Sequence, residues 1–198
     1  MDILIATNNR HKADEISRLL SPDEFTVKIL ADFPNIPKTV EDEPTLEGNA
    51  LKKATEAFAA TGLLTLADDT GLECYYLELQ PGVYSARYAG EEATYADNNA
   101  KLLQALKGVP ARRRNARFRT VMAIVGKGIR KTVEGRVEGT ILESPRGTGG
   151  FGYDPLFVPR GMRKTYAELP VEEKNRLSHR ALAVARAIEV LRELRKSG

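Results

Sequence analysis

The chain has 198 residues, of which 42% are hydrophobic and 29% charged, and a formal net charge of +3. These figures exclude a disordered chain. The positive excess is too slight for a nucleic-acid or membrane surface and suits a small anionic ligand. The single cysteine, Cys74, excludes an intrachain disulfide framework and fits a reducing compartment. With His11 and His179 as the only histidines, the composition argues against a Cys/His zinc site as well.

Ile3 to Ala6 predicts a short buried strand, followed by a turn at Thr7-Asn8-Asn9 into a helix through about Leu20. Nothing in the first residues has the character of a signal peptide, and no apolar stretch approaches a membrane span, so a cytoplasmic protein is expected. Phe25 to Leu30 alternates like a second strand, and 32–44 is an acidic loop punctuated by prolines. Thr45 starts a second helix with Ala50, Ala54, Ala57 and Phe58 on one face. Leu63 to Ala67 returns to strand, which completes a β-α-β-α-β pattern and argues for the α/β class. Beyond Gly71 the chain is aromatic and turn-rich up to Gly90, then helical from Ala93 to Leu106. Phe118 to Val125 and Lys131 to Val137 read as strands around a Gly126-Lys127-Gly128 turn. A last helix carries Leu177, Ala181, Val184, Ile188 and Leu191 as one buried stripe.

Ala67-Asp68-Asp69-Thr70-Gly71 carries the most chemical information. The strand is expected to end at the acids, with Gly71 turning the chain. Neighbouring carboxylates repel, and a hard divalent ion such as Mg²⁺ would compensate them. A surface turn rich in aspartate after a buried strand is the alternative. Thr7 to Lys12 offers free backbone N–H groups at a helix start, with Lys12 one turn in and within reach of a phosphate. It lacks the glycines of a P-loop or dinucleotide fingerprint, and a plain capped helix is the alternative.

Glu41, Asp42, Glu43 and Glu47 cluster ahead of the second helix, where its dipole favours acids; one of them could face Asp69 across a metal, and Lys52 or Lys53 could turn toward the site. Phe151-Gly152-Tyr153-Asp154 follows a glycine loop, which suits either stacking on a base or a buried aromatic corner. Ser178-His179-Arg180 opens the last helix near Lys174, with Ser178 as its cap. Nitrogen donors at a helix start oppose the dipole, so an anionic or carbonyl-rich ligand is expected there. Arg112-Arg113-Arg114 with Arg117 and Arg119 reads as a solvated basic hairpin.

Six segments resemble the inosine triphosphate pyrophosphatase family, in the family's order along the chain. They are Ala6 to Lys12, Thr45 to Ala50, Ala67 to Glu73, Pro81 to Tyr88, Gly149 to Pro155, and Ser178-His179-Arg180. The resemblance implies one α/β domain over 1–198, with an elongated mixed sheet flanked by helices and two lobes around a central nucleotide-binding cleft. It also implies a homodimer, with neither nucleic acid nor membrane as partner. The implied reaction is hydrolysis of ITP, dITP and XTP to the monophosphate and pyrophosphate with Mg²⁺.

By the same resemblance Thr7, Asn8, Asn9, Arg10, His11 and Lys12 would hold the triphosphate. Asp69 would be general base and metal ligand, with Asp68 supporting it and Glu41 as the second metal carboxylate. Thr70 would touch substrate, Phe151, Gly152, Tyr153 and Asp154 the nucleoside, and Lys174, His179 and Arg180 would complete the base pocket. There are two departures from the family pattern. Thr70 stands where serine is usual, and Glu41-Asp42-Glu43-Pro44 replaces a Glu-Thr-Gly order, which leaves Glu43 as the alternative to Glu41.

Overall fold

A computed structural model describes residues 1–197, with strands and helices alternating through the first half of the chain. The order is β1 (Asp2–Ile5), α1 (Arg10–Leu19), β2 (Thr26–Ile29), α2 (Leu46–Thr61), β3 (Leu64–Cys74), α3 (Tyr95–Ala105), β4 (Asn115–Gly126), β5 (Ile129–Ile141), β6 (Phe157–Pro159), α4 (Val171–Leu177) and α5 (His179–Ser197). The strands form one mixed sheet in the order β2-β1-β3-β4-β5-β6. β1 runs parallel to both β2 and β3, with Ile5 opposite Ile29 on one side and Leu66 on the other. Parallel neighbours need crossovers, which α1 and α2 supply, as the alternating pattern predicts. Among the described residues no helix is long and apolar enough to cross a membrane.

The helix starts are chemically explained. The Asn9 side chain caps α1 by accepting the Lys12 N–H at 3.3 Å, and Thr45 caps α2 by accepting the Gly48 N–H at 3.0 Å. At its far end α2 stops on Gly62, whose φ of 70° places it in the left-handed region.

The chain divides into two compact units, one of Met1–Asp69, Thr120–Gly135 and Arg180–Gly198, the other of Thr70–Arg119 and Arg136–His179. The first is built on Ile3, Ile5, Ile16, Leu66, Ile124, Val184 and Leu191 among others. The second is built on Leu72, Leu102, Leu106, Phe118, Phe157 and Tyr166 with their neighbours. Removing such apolar side chains from water is the main favourable term in each unit, about 1.5–3 kcal/mol per fully buried side chain.

Three local expectations change. The strand after α2 does not end at the double aspartate; β3 continues through both acids to Cys74 and is buried over nearly its whole length. Gly71 is therefore no turn. A Cβ there would stand 2.5 Å from the Gly82 carbonyl oxygen, so glycine is required for space. The basic run is not simply solvated, because Arg114 is buried. Its guanidinium donates to the carbonyls of Ile141, Leu106 and Leu142 at 2.8, 2.8 and 2.7 Å. Ser178 keeps its place directly before α5, in extended conformation, and also closes α4, donating its N–H to Lys174 O at 2.9 Å. The apolar stripe of α5 runs through Ala183, Val184, Ala187 and Leu191, while Leu177 lies exposed at the end of α4.

Candidate active site

Successive side chains of a strand point to opposite faces, so the two acids of β3 serve different neighbours. Asp68 is fully buried. It receives Lys12 Nζ at 3.2 Å and Arg180 Nε at 3.4 Å, and Arg180 also binds Glu15 of α1. Burial alone would raise the Asp68 carboxyl, but the fields of Lys12, Arg180 and Lys53 outweigh it and hold the group well below the usual carboxylate range.

Asp69 lies on another set. Its Oδ1 is 3.3 Å from Lys53 Nζ, and its Oδ2 accepts from Asn49 Nδ2 at 3.3 Å. Lys53 Nζ also lies 2.9 Å from Glu41 Oε1, so one ammonium joins the acidic loop to the strand. Burial lifts the Asp69 carboxyl above its ordinary value; Lys53 and Lys12 oppose this, and Glu41 and Asp68 add to it. Lys53 shows the reverse balance. Burial would lower its pKa, yet the carboxylates of Asp69, Glu41 and Asp68 raise it, so it stays a firm cation.

Of the two glutamates left open by the sequence, Glu41 shares a cation with Asp69. Glu43 is held instead by its backbone, its N–H donating to Asn49 Oδ1 at 3.1 Å and its carbonyl accepting from Asn49 Nδ2 at 3.4 Å. Asp42 pairs with Lys52 at 2.5 Å. Among the described residues no group of three or more His, Cys, Asp and Glu side chains forms a dedicated metal cage. Two carboxylates converging on one cation position nevertheless fit Mg²⁺, which takes one or two protein carboxylates and completes its shell with substrate phosphates and water.

The turn before α1 and the first turn of α1 are polar and partly open to solvent. Asn8, Arg10 and His11 are exposed, and Thr7, Asn9 and Lys12 half-buried. Thr7 Oγ1 accepts the Asn9 N–H at 3.2 Å, which shapes the turn that presents the helix start.

The remaining predicted residues lie in the second unit, where Thr70 is half-buried in β3. Lys174 is buried, donating to Asp154 Oδ2 at 2.6 Å, with its ammonium 4.8 Å from the centre of the Phe151 ring and 5.9 Å from that of Tyr166. The same Asp154 oxygen accepts the Phe151 N–H at 2.9 Å. Gly150 makes this possible: its φ is +69°, and a Cβ would fall 2.1 Å from Asp154 Oδ2. His179 stacks on Phe118 at 4.5 Å with 13° between the rings. Tyr153 turns inward, its hydroxyl donating to Ser85 O at 2.9 Å, and burial raises its pKa. Asn99 Nδ2 donates to Gly152 O at 3.0 Å.

The structure thus groups Lys12, Asp68, Asp69, Glu41 and Arg180 in the first unit, and Phe151, Asp154, Lys174 and His179 in the second. Arg180 follows His179 in the chain, but its guanidinium contacts carboxylates while the His179 ring stacks on an aromatic. Sequence reasoning assigned no role to Glu15 or Asn49. Glu15 carries a local signal, since it lies one turn beyond Lys12 on α1; Asn49 carried only its place in the Thr45 to Ala50 segment.

An α/β protein that sets a lysine and a capped helix start beside paired acids is equipped to handle a phosphate-bearing substrate. Comparison with known proteins gives the lineage. The chain belongs to the Ham1 family, whose sequence profile matches residues 3–190. It is 48% identical over 195 residues to the dITP/XTP pyrophosphatase of Desulforamulus reducens, covering 98% of this chain and 97% of that one. It is 50% identical over 184 residues to the dITP/XTP pyrophosphatase of Geobacter sulfurreducens, covering 92% of each. Among solved structures, a HAM1 protein from Coxiella burnetii superposes with a TM-score of 0.89 at 38% identity, covering 98% of this chain and 99% of that one.

Proposed function

We propose that this chain is a nucleoside triphosphate pyrophosphatase that hydrolyses non-standard purine nucleoside triphosphates (ITP, dITP and XTP) to the monophosphate and pyrophosphate. The observation that carries this reading is the convergence of Asp69 and Glu41 on one buried cation position, in the unit that also holds Lys12 and the α1 helix start. The dITP/XTP pyrophosphatase names of relatives at 48% and 50% identity support it.

In this reading Lys12 and the backbone N–H groups of Thr7 to His11 hold the triphosphate, and Glu41 and Asp69 are the protein ligands of Mg²⁺. When bound there, Mg²⁺ supplies charge neutralisation for the phosphates and for the departing pyrophosphate. Asp69 orients the attacking water and takes its proton, while Asp68 keeps Lys12 in place. Phe151 and the 152–154 backbone contact the nucleoside, and Thr70 touches substrate. Lys174, His179 and Arg180 are the donors for the base. Hypoxanthine and xanthine present a 6-keto acceptor where adenine presents an amino donor, so a donor in the pocket favours the former and leaves a mispaired donor against the latter. A cytoplasmic homodimer without nucleic-acid or membrane partners belongs to the same proposal and rests on the family resemblance and the single cysteine.

The test is a panel of ITP, dITP, XTP, ATP and GTP with Mg²⁺, with phosphate and pyrophosphate detected separately. Pyrophosphate and monophosphate should form from the keto purines, with ATP at least about 100-fold slower. Asp69→Asn should lower kcat by about two orders of magnitude, the usual cost of losing a general base. Release of inorganic phosphate alone, or equal turnover of ATP and ITP, would overturn the reading.

A further inference from the structure

We propose that Asn49 is a positioning residue that sets the spacing between Glu41 and Asp69. The inference rests on the reading of those two acids as the Mg²⁺ pair. Asn49 is fully buried in the first turn of α2. Both ends of its carboxamide engage the backbone of residue 43: Oδ1 accepts the Glu43 N–H at 3.1 Å, and Nδ2 donates to the Glu43 carbonyl at 3.4 Å. The same Nδ2 donates to Asp69 Oδ2 at 3.3 Å. One side chain therefore ties the acidic loop to the strand that carries Asp69, much as an adjacent strand would pair with both groups of one residue.

Helix stability does not explain this residue. The α2 cap is already provided by Thr45, and the Asn49 backbone N–H is satisfied by Thr45 O at 3.1 Å. Its side chain serves the acidic loop and Asp69 rather than the helix. Gly48 cooperates sterically, since a Cβ there would lie 2.8 Å from Glu43 Cβ and push the loop off the helix. Lys53 then spans the remaining gap between the two acids.

Chemistry restricts the replacement. Aspartate keeps the acceptor for the Glu43 N–H but loses both donations and sets a carboxylate against Asp69. Glutamine carries the same amide one methylene too far in a buried site. Groups that orient metal ligands typically change metal affinity or activity by about 10–100-fold when removed.

The experiment compares Asn49→Ala, Asn49→Asp and Gly48→Ala with the unaltered protein. The Mg²⁺ concentration for half-maximal ITP turnover should rise about 10–100-fold in Asn49→Ala. Its KM for ITP at saturating Mg²⁺ should stay within about threefold, because the substrate contacts are untouched. Hydrogen exchange gives a readout independent of turnover: the Glu43 amide should lose protection while the body of α2 keeps its own. Gly48→Ala, which retains the amide, should shift the Mg²⁺ requirement in the same direction and carries the test if Asn49→Ala does not fold. An unchanged Mg²⁺ requirement in both variants, or a Glu43 amide as protected as before, overturns the positioning role. Glu41→Gln and Asp69→Asn separate the two failures. If both keep a normal Mg²⁺ dependence, the underlying reading falls; if they lose it while Asn49→Ala does not, only this inference falls.

Discussion

Lys53→Met removes the ammonium between Glu41 and Asp69 and keeps most of the aliphatic stem. With Nζ 2.9 Å and 3.3 Å from the two carboxylate oxygens, the gross attractions are about 6 and about 5 kcal/mol at an effective dielectric near 20. Desolvation of the buried ammonium cancels much of that. The Glu41 side chain is also 32% exposed, so its share is further screened by solvent. What remains after the substitution is two carboxylates that have lost the ammonium they shared, a net loss of about 3 kcal/mol, the low end for breaking a buried ion pair. At about 2–4 °C per kcal/mol for a chain of this size, Tm should fall by about 6–12 °C in EDTA by scanning calorimetry. Mg²⁺ sharpens the test, since a ligand at about 100 times its Kd adds about 2.7 kcal/mol. Mg²⁺ should restore most of the loss in Lys53→Met and stabilise the unaltered protein less, because there the ammonium competes for the same oxygens. A Lys53→Met Tm within about 2 °C of the parent in EDTA would refute the reasoning. So would a Mg²⁺ increment no larger than the parent's.

Other outcomes follow from the same contacts. Arg180→Met should cost about 3 kcal/mol in urea unfolding, because it removes one of the cations paired with the buried Asp68. Adding Asp68→Asn should recover at least about 1 kcal/mol of it, and strict additivity would contradict the pairing. Gly71→Ala should destabilise by about 2–3 kcal/mol, since its Cβ meets the Gly82 backbone rather than a side chain that can yield; an unchanged Tm would show that the strand has room. Cys74 is buried, and burial pushes its thiol up to about 12 against a small opposing pull from Arg114. It should therefore resist an aromatic disulfide reagent at pH 8 until the chain unfolds. Because the folded thiol keeps its proton where the unfolded one loses it, stability should decline between about pH 9 and 12 by at most about 1.4 kcal/mol per unit. Rapid labelling of the native protein would refute the assignment.

The β-α-β-α-β half was legible because each element carried its own period: short apolar strands, a capped turn at Asn9, and an alanine face on α2. The double aspartate was also found, but its setting was misjudged. Charges interrupt an apolar run, so β3 looked as though it stopped, whereas its acids are tolerated inside the sheet because cations from distant segments reach them. Arg180 lies 112 residues from Asp68, and no local pattern encodes such a pairing. Arg114 failed for a related reason. A guanidinium that satisfies three carbonyls is written in a basic run like any solvated arginine, and only the closure of loops around it makes it internal. Asn49 stood in plain view within a recognised segment, yet its role depends on where residue 43 comes to rest.

Alternation along β3 gives the neighbours Asp68 and Asp69 separate constituencies. One is tied to α1 and the start of α5, the other to α2 and the acidic loop. A substitution at 68 therefore disturbs Lys12 and Arg180 first, and one at 69 disturbs Lys53 and Asn49 first. A pair that looks redundant on paper is two appointments with different direct partners, sharing a peptide bond and the fields of Lys12 and Lys53.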